Sequence, residues 1–208
     1  MRHPPPEGKA PLISSESTYF IGDTHFDHRN GIREFHRPFT NVTEMNKVIK
    51  DNWNSTVGDN DTVYFLGDWT MGWGHKPAKY WEGQLKGVKF SMRGNHDKGK
   101  RDIRYVDFKE LHVNEYDFLL IHNPDPNDPR QTKEQKEKLQ NWHGWVIHGH
   151  KHNNNDMVIY PFINGENKTI NVSVELIDYR PVSIDYLLNL NLDSIKRMQR
   201  VGSEPERW

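Results

Sequence analysis

The chain contains no cysteine, which excludes disulfides and sulfur-ligated metal sites and leaves Asp, Glu, His, Asn or water to hold any metal. It has almost no net charge: 28 Lys and Arg against 29 Asp and Glu leave −1. There is thus no global basic field of the kind that drives non-specific nucleic-acid binding, although a local basic groove remains open. No apolar run approaches the length of a membrane span, and "MRHPPPEGKAPLISSES" has no signal-peptide core. A soluble, cytoplasmic protein without a membrane partner is the expectation. Apolar residues are scarce, at 34%, or about 41% once glycine is added, somewhat below the usual globular range. Seven tryptophans argue against disorder.

A length of 208 residues favours one domain. Three consecutive prolines, Pro4 to Pro6, suggest an extended arm. The expected organisation is a proline-rich arm over 1–16, a single domain over 17–192 and a C-terminal tail over 193–208.

Short β-rich runs alternate with helical patterns in the first half. "STYFIG" at 17–22, "TVYFLGD" at 62–68 and "VKFSMRGNHD" at 88–97 read as strands, each running into a polar cluster. Between the first two, Val42, Met45, Val48, Ile49 and Trp53 recur at helical spacing behind Asn41, with Glu44 three residues on. A second helix is expected near Lys76 to Gln84. Strand, helix, strand, helix, strand builds a parallel sheet whose ligand crevice lies beyond the carboxyl ends of the strands. Later segments read as antiparallel: a hairpin around Asn114, then "GWVIHGH", "DMVIYPFI" and "KTINVSVEL". The charged helix after "PDPNDPR" reads as a solvated face, and Ser183 to Leu190 as a last helix.

Residues 148–152 read "HGHKH". In a strand, three alternating histidines share one face, and imidazole is the commonest ligand for transition metals. A histidine-rich surface turn is the competing reading of the pentapeptide alone. Context supplies partners: Asp23 and His25, Asp68, Asn95 with His96 and Asp97, and His122 all stand at strand ends.

The ordered series "GDTH", "GDW", "GNHD", an isolated "IH" and "GHKH", spanning residues 21–152, resembles the five motifs of the calcineurin-like metallophosphoesterase superfamily. The resemblance implies an α/β fold, a four-layer αββα sandwich with two mixed β-sheets. It implies Asp23, His25, Asp68 and His152 on one divalent metal and Asp68, Asn95, His122 and His150 on the other, with Asp68 bridging. Two divalent cations less two carboxylates leave a site attractive to phosphate. The implied activity is phosphoester hydrolysis by a metal-held hydroxide, with Mn²⁺ first among Mn, Fe, Zn, Co and Ni. His96 resembles the catalytic histidine that serves the leaving oxygen, and Asp97 its orienting carboxylate. His148 has no ligand role in the pattern and is expected to hydrogen-bond from behind. His122 is followed by Asn123 where glycine is often seen, which makes it the least secure ligand.

His28, Arg37 and Trp69 are the expected substrate contacts, Arg37 for phosphate and Trp69, with Trp73, as a wall for a nucleobase. The absence of a "DRG" extension after Asp68 sets phosphoproteins aside. A nucleotide or small phosphodiester is the expected substrate, as monoester or diester. The rivals are a metal-dependent nuclease and a non-catalytic scaffold on the same fold, as in a retromer subunit, which would show eroded ligands. Protein partners cannot be read from the sequence.

Overall fold

The computed structural model describes residues 18–97, 99–153 and 159–208. The arm expected over 1–16 lies outside them, as does the start of the strand expected from residue 156.

Strand β1 (Thr18–Ile21), β2 (Thr62–Phe65), β3 (Val88–Met92) and β4 (Tyr105–Val106) pair in parallel, and β10 (Val182–Ser183) adds antiparallel to β1. The register aligns Ile21 with Phe65 and Phe65 with Ser91. The carboxyl ends are therefore level, and the polar clusters that follow arrive at one edge, as the βαβ pattern required.

Helix α1 (Gly31–Glu34) is a single turn; α2 (Val42–Thr56) is the long crossover between β1 and β2. Asn41 caps α2 by accepting the Glu44 N–H at 2.9 Å. The Glu44 carboxylate reaches back to the N–H and hydroxyl of Thr40, one residue earlier than a standard capping box. Met45, Ile49 and Trp53 form its buried stripe, with the Trp53 ring tilted against Phe65. Helix α3 (Ala78–Glu82) is shorter than its pattern suggested.

The second sheet is β12-β11-β8-β9-β7-β6-β5, built from β5 (Phe108–Val113), β6 (Tyr116–Ile121), β7 (Trp145–His148), β8 (Ile163–Asn164), β9 (Thr169–Asn171), β11 (Ile195–Met198) and β12 (Glu206–Arg207). The β5–β6 hairpin turns at Asn114, which takes φ of 53°. Side-chain alternation separates two cores. Phe118, Leu120, Trp145 and Ile147 join the main core shared with the first sheet. Leu119, Ile121 and Val146 point the other way, against Leu139 and Trp142 at the end of α4 (Lys133–Gln140). Helix α2, two mixed sheets and α4 thus stack as four layers. Helix α5 (Ile184–Asn189) follows β10.

Three expectations are corrected. Strand β7, read as antiparallel, pairs in parallel with both β6 and β9. Residues 193–208 are not a tail: Ile195 and Met198 are buried, and β11 and β12 complete the second sheet. The strand expected over 168–176 ends at Asn171, and Val174–Leu176 is a 3₁₀ turn.

Candidate metal centre

The loops after β1, β2, β3, β6 and β7 meet at the common edge. Four residues there, Asp23, His25, Asp68 and His150, have φ of 59°, 45°, 62° and 68°. This left-handed backbone turns the chain sharply enough to aim side chains back across the strand ends, and Asp and His tolerate it better than most residues. Close approach demands glycine nearby. A Cβ on Gly94 would lie 2.0 Å from Asp68 Oδ1, and one on Gly149 would lie 2.2 Å from Asp23 Oδ2.

One group of ligand atoms comprises Asp23, His25 and His152, all buried. The Nε2 atoms of His25 and His152 face each other at 3.2 Å, and Asp23 Oδ1 lies 3.3 Å from His152 Nε2 and 3.8 Å from His25 Nε2. Asp23 Oδ1 is buried without a hydrogen-bond partner. Its other oxygen accepts from the His150 N–H and the Ser173 hydroxyl, each at 2.9 Å. An orphaned carboxylate oxygen converging with two imidazole nitrogens is a donor set suited to a divalent transition ion.

A second group comprises Asp23, Asp68 and His122. His122 Nδ1 donates to the Leu66 carbonyl at 2.7 Å, which directs Nε2 toward Asp68 Oδ2 at 3.3 Å and Asn95 Oδ1 at 2.9 Å. Asp68 Oδ2 also lies 3.8 Å from His25 Nε2, so it stands between the groups. His150 sits at the rim, its ring 5.1 Å from that of His122 and its Nε2 3.3 Å from Arg130 Nη2.

Electrostatics divide the histidines. Burial opposes a charge on His122 and His152, but carboxylates win: Asp68 raises His122 to about 9, and Glu175 with Asp23 raises His152 to about 10. Burial, helped by the charge on His152, holds His25 well below its usual range, and burial takes His150 to about 4. Burial raises Asp23 and Asp68, yet the adjacent histidine charges pull both below the ordinary carboxylate value. The site is a cluster of buried ion pairs.

The structure brings the seven expected metal residues together, with His150 at the margin. His96 is exposed at the cleft; its ring lies 5.4 Å from that of His25 and its N–H donates to Asp68 Oδ1 at 2.8 Å. Asp97 does not orient His96. Its Oδ2 accepts the N–H of Asp68 at 2.6 Å and of Gly94 at 3.2 Å, which fixes the Asp68 loop, while Oδ1 faces Lys100 and Tyr105. His148 is buried and donates from Nδ1 to the Gly149 carbonyl, in keeping with a supporting place behind the ligands.

None of the three expected substrate contacts lines the cleft at the centre. Arg37 is buried: it donates to the carbonyls of Asp23 and Thr24 and pairs with Glu175 at 2.7 Å. Trp69 is fully buried, stacked on Phe65 at 3.8 Å with Nε1 donating to Ser91. His28 is buried against His25 and Phe35. The sequence reading missed Glu175, Ser173 and Arg130, none of which lies in a motif.

No family model matches the chain. Uncharacterized protein MJ1445 of Methanocaldococcus jannaschii is 44% identical over 179 residues, 86% of this chain and 93% of that protein. The chain belongs to the MJ1445 family. A solved structure, protein AQ665 of unknown function from Aquifex aeolicus, is 30% identical with a TM-score of 0.63, covering 83% of this chain and 98% of that one. Vps29 from Entamoeba histolytica is a fainter likeness, at 17% identity and a TM-score of 0.42 over 74% of this chain and 72% of its own. Among the described residues of this MJ1445 relative, no helix is long and apolar enough to cross a membrane.

Proposed function

We propose that this chain is a metal-dependent phosphoesterase. The observation that carries the reading is the convergence of Asp23, His25 and His152 beside Asp23, Asp68 and His122, with Asp68 Oδ2 between them. Asp23, His25, Asp68 and His152 would hold one divalent ion and Asp68, Asn95, His122 and His150 the other, Mn²⁺ being the first candidate. Two such ions would supply the positive charge and the acidified water that phosphoryl transfer requires.

The chain's own groups do the rest. Carboxamide and imidazole ligands keep the site's negative charge low, so a phosphate ester is not repelled. The Asp97 carboxylate and the His96 N–H fix both Asp68 and its loop, which keeps the ligand positions constant through turnover. The His96 imidazole, exposed at the cleft, gives a proton to the departing ester oxygen.

Turnover of p-nitrophenyl phosphate and bis(p-nitrophenyl) phosphate, by metal-stripped protein with and without Mn²⁺, tests the reading. Metal-dependent release of nitrophenol from either ester, lost in Asp68→Ala, is expected. Silence of the wild type on both esters with two metals bound would instead favour a non-catalytic scaffold. A wild-type rate retained in Asp68→Ala would refute the metal assignment.

A further inference from the structure

Arg130 lies outside every motif, yet it leans over the centre. It lines the cleft of about 290 Å³ that is also lined by His25, Asp68, Asn95, His96 and His150. It also lines a second crevice shared with Asn95 and His122. Its side chain is half exposed, and a tether to Asp128 helps to position it.

That tether is built. Nε and Nη2 of Arg130 grip the two oxygens of Asp128, the fork geometry that fixes the plane of a guanidinium. Asp128 is itself held by the side-chain amide of Asn123 at 2.8 Å, the residue directly after His122. Gln131 donates back to the Asn123 carbonyl at 3.0 Å, closing the loop on the second sheet. From this anchorage Arg130 Nη2 reaches within 3.3 Å of His150 Nε2. A guanidinium positioned by an acid beside a cleft lined by proposed metal ligands is a device for anion recognition.

We propose that Arg130 is the specificity-determining residue of the site, taking a non-bridging oxygen of a phosphomonoester dianion and so favouring monoesters over diesters. The inference rests on the phosphoesterase reading. A monoester presents its third, unesterified oxygen and a second negative charge to Arg130. In a diester that oxygen carries an alkyl or aryl group, which offers no charge and collides with the tethered guanidinium. Asp128 is a positioning residue in this scheme: it sets where the guanidinium points and touches no substrate.

The test compares wild type, Arg130→Ala, Arg130→Lys and Asp128→Asn, all loaded with Mn²⁺ and checked for equal metal content. Three readouts are needed: inorganic phosphate binding by calorimetry, and KM and kcat on the monoester and on the diester. Arg130→Ala should weaken phosphate and raise the monoester KM by roughly tenfold to a hundredfold, the range of one charge-assisted hydrogen bond. Its diester KM should stay unchanged or fall. Arg130→Lys should restore part of the phosphate affinity, and Asp128→Asn should give a smaller loss of the same sign.

Equal losses on both esters, or none on either, with an active wild type would overturn the role of Arg130 alone. A wild type that neither binds phosphate nor turns over either ester would overturn the phosphoesterase reading, and this inference with it.

Discussion

His152 Nδ1 lies 3.2 Å from both carboxylate oxygens of Glu175. The bond leaves Nε2 of that ring as the atom facing Asp23 and His25. Arg37 grips the same carboxylate and donates its remaining hydrogens to the carbonyls of Asp23 and Thr24 and to Met45 Sδ. Two loops that carry proposed ligands are thereby tied through one buried ion pair.

Glu175→Gln should keep the shape and lose the charge behind His152. Partners of this kind are worth roughly ten- to a hundredfold in metal affinity, so the expected outcome is weaker Mn²⁺ binding with little change in fold, read by calorimetry and circular dichroism. Arg37→Ala is harsher, because it leaves the buried Glu175 carboxylate with His152 alone and strips the buried Asp23 and Thr24 carbonyls of their donor. A loss of about 3–5 kcal/mol is expected in denaturant unfolding.

The motif glycines predict a different phenotype. In Gly94→Ala and Gly149→Ala the new methyl would overlap Asp68 Oδ1 and Asp23 Oδ2 respectively. The Asp23 carboxylate must swing aside in Gly149→Ala, and in Gly94→Ala the Asp68 backbone nitrogen, 2.5 Å from the new carbon, must shift as well; metal content measured by mass spectrometry should fall in both variants. Full occupancy would mean that neither carboxylate is a ligand.

His96 and Asp97 are neighbours with separable roles. His96→Ala should retain metal and lose turnover. Asp97→Ala removes the acceptor for the Asp68 and Gly94 N–H groups and should lower metal affinity first. Parallel metal titrations and rate measurements distinguish the two; identical behaviour would contradict the separation.

Metal binding should also release protons. With His122 raised to about 9 and His152 to about 10, both imidazoles carry a proton at neutral pH in the metal-free protein, and an incoming cation must displace it. Affinity should therefore rise as pH rises toward those values, by about tenfold per unit for each proton displaced. Calorimetry in buffers of differing ionisation enthalpy counts the protons directly, and heats independent of buffer would exclude the exchange.

The ligand positions were legible because each Asp, Asn or His follows an apolar run that announces a strand end, and parallel register brings strand ends together. Arg37 and Glu175 were not, since they lie 138 residues apart and a single glutamate in "VSVEL" looks like the polar position of a strand. Trp69 misled for a geometric reason. An extended chain advances about 3.3 Å per residue, which would separate Trp69 from Phe65. Positive φ at Gly67 and Asp68 folds it back onto that ring instead. The closing segment was read as a tail because β12 is two residues long and its partner β11 carries only two buried side chains.

The left-handed backbone at Asp23, His25, Asp68 and His150 sets the centre against the fold that carries it. Each such residue costs about 1–2 kcal/mol relative to ordinary geometry, in a molecule whose whole margin is of order 5–15 kcal/mol. The loops are cocked before any ligand arrives. A chain with glycine at those four places would hold its shape more firmly and have nothing left to bind, so firmness and chemistry compete here for the same four torsion angles.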